Sequence, residues 1–197
     1  MRIVAGKHRG TKLAAPENWT TRPTADRTRE SLFGILAGGK HGDPVSDGLV
    51  VDVFAGTGAL GLEALSRGAA EVFFIEIHRE AVTALHQNIA RLRAGGDVTV
   101  IEGDVLTLQR TSPRPVSLVL MDPPYRSGLA APALDRLHER GWIDGNTLIV
   151  VECEKAEELE VPEWLDEVES RIYGRARVNF FRPNFSVEAG KEKLGEA

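Results

Sequence analysis

Short apolar runs alternate with segments of helical hydrophobic spacing between residues 49 and 151, and this alternation restricts the fold more than any other feature. The apolar runs are predicted strands, at residues 49–54, 72–75, 98–101, 116–121 and 147–151. Helical spacing lies between them at residues 59–66, 79–93 and 129–140. Nearly continuous apolar strands alternating with helices are typical of a parallel sheet covered on both faces. The sequence therefore predicts an α/β fold.

The C-terminal part of the chain departs from this alternation. Residues 169–173 and 176–181 have the composition of strands and flank Gly174-Arg175. Two strands joined by so short a connection form an antiparallel hairpin. We therefore expect a mostly parallel sheet of seven strands that ends in an antiparallel C-terminal hairpin.

The N-terminal part is predicted to be a small extension. Residues 1–5 and 11–14 indicate a short β-hairpin, and residues 25–37 have helical spacing. The 197 residues are enough for one domain with such an extension. The expected regions are an extension over residues 1–40, a main domain over 41–185 and a polar tail over 186–197.

Charge is distributed unevenly along the chain. The net charge is −5, but residues 1–40 hold eight Lys and Arg against three Asp and Glu, a net charge of +5. A basic segment on an acidic body can engage phosphates locally.

Cys153 is the single cysteine, so an internal disulfide is excluded. With no membrane-length apolar run and no signal-peptide pattern, we expect a cytosolic protein without membrane association.

A glycine-rich turn follows the first predicted strand of the sheet. Gly56, Gly58 and Gly61 let the backbone turn tightly, approach a ligand and pack a helix closely on a strand. Ligands of open α/β sheets bind at the carboxyl ends of strands. The same glycines satisfy the dinucleotide pattern G-x-G-x-x-G, which alone is a weak signal. The residues expected to bind a cofactor lie at the first three strand ends: Asp52, Phe54, Ala55, Gly56, Thr57, Gly58, Glu76, Ile77, Asp104 and Val105.

The segment Asp122-Pro123-Pro124-Tyr125 follows the next strand and supplies the chemistry of an amine acceptor site. A carboxylate at Asp122 and the main-chain carbonyl of Pro123 can each accept one N–H of an exocyclic amine and orient its lone pair. The two prolines stiffen the backbone, and the ring of Tyr125 can stack on a base. These four residues are the predicted catalytic group for methylation of a nucleobase amine, by direct transfer without a metal ion.

S-adenosylmethionine fits these strand ends better than NAD does. Asp52 precedes the glycine turn, Asp104 can accept from an adenine amino group, and Asp122 follows the fourth strand. A hydride-transfer pattern such as Tyr-x-x-x-Lys is not obvious in the sequence. The acid Glu76, suited to ribose hydroxyls, fits either cofactor.

Three segments together resemble the bacterial family that methylates N2 of guanine 966 in 16S ribosomal RNA. They are Arg22 to Glu30, Asp52 to Gly68 and Asp122 to Tyr125, and the opening Met1 to Gly6 is also similar to that family. The resemblance spans nearly the whole chain. It implies a Rossmann-like class I methyltransferase fold, S-adenosylmethionine as donor with S-adenosylhomocysteine as product, and a small ribosomal subunit, at least partly assembled, as substrate.

The resemblance also suggests roles for basic residues in the extension. It places the helix start near the cofactor and the RNA entrance, so we expect Arg29 at the cofactor and Arg22 and Arg27 at RNA. Lys7, Arg9 and Lys12 in the predicted hairpin are interpreted as RNA-facing. A monomer is expected.

Three other functions stay open at this point. A DNA methyltransferase acting on adenine N6 or cytosine N4 would use the same Asp-Pro-Pro-Tyr segment, although no separate sequence-reading domain is visible. An NAD-dependent oxidoreductase would explain the glycines alone. A catalytically silent RNA-binding factor would use the basic extension.

Overall fold

The computed structural model describes residues 1–16 and 23–185, with side chains from residue 26 onward in the first helix. The predicted polar tail over 186–197 and Arg22 lie outside the described residues. The helices are α1 (Pro23–Ala37), α2 (Ala59–Ser66), α3 (Arg79–Leu92) and α4 (Ala130–Glu139), with a 3-10 turn at Val105–Thr107. The strands are β1 (Leu49–Val53), β2 (Glu71–Glu76), β3 (Val98–Glu102), β4 (Leu118–Met121), β5 (Leu148–Glu154), β6 (Leu165–Tyr173) and β7 (Ala176–Pro183).

The seven strands form one sheet in the order β3-β2-β1-β4-β5-β7-β6. Strands β1 to β5 are parallel to their neighbours, whereas β7 is antiparallel to both β5 and β6. The chain first extends the sheet on one side of β1 and then crosses to β4 on the other side. Such a reversal creates a crevice at the carboxyl ends of β1 and β4. The predicted Rossmann-like architecture with an antiparallel C-terminal hairpin is confirmed.

Two apolar cores bury the two faces of the sheet. On one face, Val50, Phe74 and Leu120 pack with residues of α1, α2 and α3. On the other face, Val51 and Met121 pack with α4 and the loop that carries Trp142. Because successive residues of a strand point to opposite faces, each strand serves both cores. This explains why the central strands are apolar along most of their length.

Some element bounds differ from those that the sequence predicts. Helix α1 begins at Pro23 rather than residue 25, and proline is favoured in a first helical turn. Strand β5 continues to Glu154, and β6 begins at Leu165 instead of residue 169. These extra residues are largely acidic, so hydrophobic periodicity misses them. Backbone pairing with β7 maintains them as strands.

The N-terminal segment pairs with itself and packs on α2. The predicted hairpin is present as antiparallel pairing, but with a single ladder bridge, between Arg2 and Lys12. At the turn, Gly6 has φ +79°, and a Cβ there would lie 1.8 Å from the Ser66 carbonyl oxygen. The hairpin turn therefore contacts the C-terminal end of α2. None of the helices in the described part of the chain is both long and apolar enough to cross a membrane.

Candidate active site

Four carboxyl groups lie on one face of the sheet at the carboxyl ends of adjacent strands. Val50, Phe74, Leu120 and Val150 all belong to the core under α1, α2 and α3. Two residues further on, within β1, β2 and β5 and immediately after β4, is an acidic residue that continues on the same face of the sheet. These four acids are Asp52, Glu76, Asp122 and Glu152. The sheet therefore presents a row of carboxyls across β2, β1, β4 and β5, where the crevice opens.

The glycine turn between β1 and α2 adopts backbone conformations that favour glycine. Gly56 has φ +56° and Gly58 has φ +80°. A Cβ on Gly58 would lie 2.3 Å from Leu85 Cδ1, so the turn also sits directly against α3. A Cβ on Gly61 would lie 2.4 Å from Phe74 Cε1. The predicted role of Gly61 in close helix–strand packing is confirmed.

Two of the carboxylates hold the amides of this turn. Glu76 Oε2 accepts from the Gly56 amide at 2.7 Å, and its Oε1 accepts from the His78 amide at 2.7 Å. Asp52 Oδ2 accepts from the Gly61 amide in the first turn of α2 at 2.8 Å. A carboxylate at a helix N-terminus is favoured by the helix dipole. The turn is thus positioned by acids from β1 and β2.

Asp52 is the most deeply buried of the four acids, with 1% of its surface exposed. Burial raises the pKa of its carboxyl well above the ordinary value, and the charges of Asp122 and Glu76 raise it further. The Gly61 amide opposes this shift by hydrogen bonding. Burial and the neighbouring acids therefore make a negative charge on Asp52 costly.

The other predicted cofactor residues surround this turn. Ile77, after β2, is 58% exposed, which is unusual for an isoleucine beside a crevice. Asp104, after β3, accepts from the Leu106 amide at 2.9 Å, and the adjacent Val105 is buried. Within the turn, Ala55 and Thr57 are buried and Phe54 is half-buried. The carboxyl ends of β1, β2 and β3 thus bring these residues to one edge, and their roles toward a cofactor stay predictions.

The segment from Asp122 to Tyr125 begins where β4 ends and is open to solvent. Pro123 is buried, whereas Pro124 and Tyr125 are exposed, Tyr125 by 46%. The Ser127 amide donates to the Pro124 carbonyl at 3.2 Å, closing a turn. Arg126 ties this turn to the end of β5, since its guanidinium pairs with Glu154 at 2.9 Å. The loop therefore has a fixed base and an exposed aromatic tip.

Asp122 itself follows β4 directly, at the crevice, and its surface is exposed. Solvent reaches its side chain, yet protein surrounds it closely enough that desolvation raises the pKa of its carboxyl to about 6. The half-buried Glu152, on the adjacent strand, has its pKa raised to about 8 by desolvation and by the charge on Asp122. Arg29 opposes this second shift. Desolvation of both acids, together with the charge on Asp122, therefore disfavours the state in which both are ionised.

Arg29 is buried and lies between the extension and the sheet. Its guanidinium donates to Asp26 Oδ1 at 2.9 Å and to the Arg2 carbonyl, and its Nε lies 3.6 Å from Glu63 Oε2. The positive charge of Arg29 also acts on Glu152, where it lowers the pKa of the carboxyl. Its predicted contact with the cofactor stays a prediction.

The predicted RNA-facing residues of the described chain are exposed. Lys7, Arg9 and Lys12 lie on the hairpin, and Arg27 lies on α1. Lys7 is 3.8 Å from Asp97, near the start of β3. The hairpin turn lies at the C-terminal end of α2, whereas the glycine turn is at its N-terminal end. The length of this eight-residue helix, about 12 Å, separates Lys7 and Arg9 from the crevice.

Sequence reasoning missed three polar side chains that shape the site. Glu152 directly follows an apolar run, and without the strand register nothing in the sequence marks it as a site residue. Glu63 is fully buried and accepts from the amides of Val4 and Ala5. Asn88 is buried on α3 and donates to the carbonyl oxygens of Thr57 and Ala14. The sequence signal for Glu63 was an acidic residue on an otherwise apolar helix face.

Among the described residues, no group of three or more His, Cys, Asp or Glu could hold a metal ion.

Comparisons with known proteins place this chain among methyltransferases. A family model described as "Conserved hypothetical protein 95" matches residues 1–182. The ribosomal RNA small subunit methyltransferase D of Escherichia coli (strain K12) is 40% identical over 154 residues, which are 78% of this chain and 75% of that protein. The Haemophilus influenzae protein of the same name is 36% identical over 83% of each chain. The solved structure titled putative methyltransferase yhhF from Escherichia coli aligns with a TM-score of 0.79 at 35% identity, covering 93% of this chain and 97% of that chain.

Proposed function

This chain belongs to the family of the ribosomal RNA small subunit methyltransferase D proteins, and from that premise we propose that it methylates the exocyclic N2 amine of a guanine in small-subunit ribosomal RNA. The donor is S-adenosylmethionine and the product is S-adenosylhomocysteine. The protein acts in the cytoplasm as a monomer. One observation carries the proposal: Asp122-Pro-Pro-Tyr125, open to solvent, follows β4, which pairs directly with the strand that leads into the glycine turn.

The electrostatics of the crevice favour a cationic cofactor. Asp52, Asp122 and Glu152 all have carboxyl pKa values raised by burial, and Asp52 and Glu152 also by neighbouring acids. A bound cation would relieve that repulsion. S-adenosylmethionine, when bound, supplies a sulfonium whose methyl group is the electrophile, and its positive charge suits this row.

The same groups disfavour a dinucleotide. Rossmann sites bind a diphosphate through the free amides of the glycine turn and the following helix. Here the Gly56 amide donates to Glu76 and the Gly61 amide donates to Asp52. A diphosphate would have to displace these carboxylates while remaining close to them. This argues against the NAD-dependent alternative.

The residues around Asp122 are suited to orient a weak nucleophile. The Asp122 carboxylate and the Pro123 carbonyl each accept one N–H of the amine, which directs the nitrogen lone pair toward the methyl carbon. The exposed ring of Tyr125 stacks on the base. S-adenosylmethionine held at the glycine turn would supply the methyl carbon, the C–S bond breaking with its electron pair left on sulfur as the N–C bond forms, and Asp122 would accept the proton that nitrogen releases. Positioning of this kind contributes on the order of 7–11 kcal/mol at its upper limit.

RNA approaches from the side of the extension. Lys7, Arg9, Lys12 and Arg27 are exposed there and supply positive charge for phosphates. On the opposite side of the Asp122 loop, a cavity of about 360 Å³ is lined by Glu157, Glu158 and Glu160 among other residues, which disfavours phosphate. Because the hairpin turn lies a helix length from the crevice, its cations contact RNA flanking the target. The target guanine leaves its stack to reach Asp122.

Methyl transfer to defined substrates tests the proposal. The purified protein is incubated with tritiated S-adenosylmethionine and small ribosomal subunits, naked 16S rRNA or duplex DNA, and the products are digested to nucleosides. We expect label in N2-methylguanosine from the ribosomal substrates. Label in N6-methyladenine or N4-methylcytosine of DNA would instead identify a DNA methyltransferase. Calorimetric binding of NAD but not of S-adenosylhomocysteine would overturn the cofactor assignment.

A further inference from the structure

The register between β4 and β5 places Glu152 beside Asp122. In the parallel pairing of β4 with β5, Met121 is opposite Val151. Asp122 and Glu152 are the next residues of the two segments, and both follow residues of the same core by two positions. Neighbouring strands lie about 4.8 Å apart, so two acidic side chains on one face there interact strongly. Nothing in the sequence links these two residues, which are thirty positions apart.

The surroundings of Glu152 set its ionisation. The charged groups that act on Glu152 are Asp122, immediately after β4, and Arg29 on α1, while Val178, its opposite residue on β7, is apolar. Arg29 is already engaged by Asp26 and Glu63, so its charge is shared. Asp52 and Glu76 extend the row of acids beyond Asp122. Within the described part of the chain, Arg29 is the one cation that acts on Glu152, so the two adjacent carboxylates are best accommodated when one of them carries a proton.

We propose that Glu152 is a positioning residue that keeps a proton at neutral pH and thereby leaves Asp122 as the ionised acceptor for the substrate amine. The catalytic part of this inference rests on the proposed methyl transfer. The ionisation of Glu152 does not depend on it. The arrangement resembles a carboxyl dyad in which the two acids share one proton, with the burial of each deciding which keeps it. Glu152 is half-buried and bounded by an apolar strand on one side, whereas Asp122 opens to the crevice. The order of the two pKa values, about 8 and about 6, supports this division.

The ionisation is tested first without any cofactor or RNA. The thermal stability of the unliganded wild type, Glu152→Gln and Glu167→Gln is measured from pH 5 to pH 9; Glu167 is an exposed acid on β6. Folding raises the pKa of Glu152 to about 8, so the wild type loses stability as the pH rises from the ordinary pKa of a glutamate to about 8, and loses no more above that. Glutamine cannot ionise, and we expect the melting temperature of Glu152→Gln relative to wild type to increase from pH 5 to about pH 8 and then to level off. Glu167→Gln should run parallel to wild type.

The coupling to Asp122 is tested by repeating this comparison in an Asp122→Asn background. With the neighbouring charge removed, Glu152 ionises more easily, and the pH-dependent advantage of the glutamine variant should shrink. Parallel curves for wild type and Glu152→Gln across the whole pH range would overturn the proposal. So would an advantage that is unchanged in the Asp122→Asn background.

The catalytic consequence is tested with the methyl-transfer assay. Glu152→Gln retains a neutral side chain of the same shape, so we expect its kcat at neutral pH to be within about threefold of wild type. Ionisation of Glu152 above about pH 8 should lower the rate of the wild type, and this decline should be absent in Glu152→Gln. Glu152→Ala removes the carboxyl that positions Asp122. We therefore expect it to lower kcat about tenfold with little change in KM for RNA. An equal loss in both variants would show that a neutral side chain of the same shape does not replace Glu152 and would overturn the proposal. If the wild type methylates no substrate, the proposed function fails, while the stability measurements still decide the ionisation.

Discussion

At the residue scale, the two acids of the crevice were not equally accessible to sequence reasoning. Asp122 is identified by its immediate neighbours, two prolines and a tyrosine, because the chemistry of that loop is local. Glu152 has no such local signal, and only the pairing of β4 with β5 places it beside Asp122. The same holds for Glu63 and Asn88, whose partners lie far away in the chain. Residues that act within one loop are found from sequence, and residues that act between elements are not.

Asp122 is expected to be required for turnover but not for cofactor binding. Asp122→Ala removes the acceptor for the substrate amine, so kcat should fall on the order of 10²–10³-fold, as for loss of a transition-state hydrogen-bond partner. The affinity for S-adenosylhomocysteine, measured by calorimetry, should change by less than about threefold, since the glycine turn is held by Glu76 and Asp52.

The matched control for this variant is Asp166→Ala, which removes an exposed acid from the edge strand β6. It should leave both kcat and affinity near those of the wild type. If Asp122→Ala turns over within a few-fold of the wild type, the carboxylate is not the amine acceptor.

At the scale of elements, one buried acid joins the N-terminal extension to the main domain. Glu63 on α2 accepts from the amides of Val4 and Ala5 at 2.7 and 3.0 Å and pairs with Arg67 at 2.7 Å. Arg29 of α1 reaches the same carboxylate. Ile3, Leu13 and Phe33 of the extension share the core with the sheet. The extension is therefore part of the folded unit, and the position of α1 relative to Glu152 depends on this junction.

Removal of the Glu63 carboxylate should destabilise the whole fold. Glu63→Ala leaves two amides and two guanidinium groups without their buried partner, which we expect to lower the free energy of unfolding by about 3–5 kcal/mol. Urea denaturation followed by circular dichroism measures this. Glu102→Ala removes an acid from an exposed pair with His86 and should cost less than about 1 kcal/mol. Equal losses in the two variants would mean that the junction contributes little.

At the scale of the whole molecule, charge is separated between the extension and the acidic rest of the chain. The hairpin and α1 carry the exposed cations Lys7, Arg9, Lys12 and Arg27, and the connection from β5 to β6 is rich in acids. A nucleic acid therefore meets a more favourable field at the extension than at that connection. This gives a direction to RNA binding that neither the net charge of −5 nor the composition indicates.

Reversal of one hairpin charge should weaken RNA binding more than the same change elsewhere. Arg9→Glu removes a proposed phosphate contact, so the slope of log affinity against log salt should decrease in magnitude by about 1. Arg114→Glu makes an identical charge change at an exposed position in the loop before β4 and is the control. Filter binding to small-subunit RNA at several salt concentrations compares them. Identical slopes for the two variants would place the RNA on another surface.

The amino-acid sequence by itself determined the α/β class, the order of the strands and helices, the glycine turn and the Asp122 loop. Each of these depends on hydrophobic spacing or on residues that are neighbours in the chain. The tertiary structure alone decided that four acids form one row, that Glu152 adjoins Asp122, and that Arg29 faces both the extension and this row. The physical reason is that burial and charge coupling arise between strands and helices, where register and packing set the distances, and those distances are not encoded in any local pattern of residues.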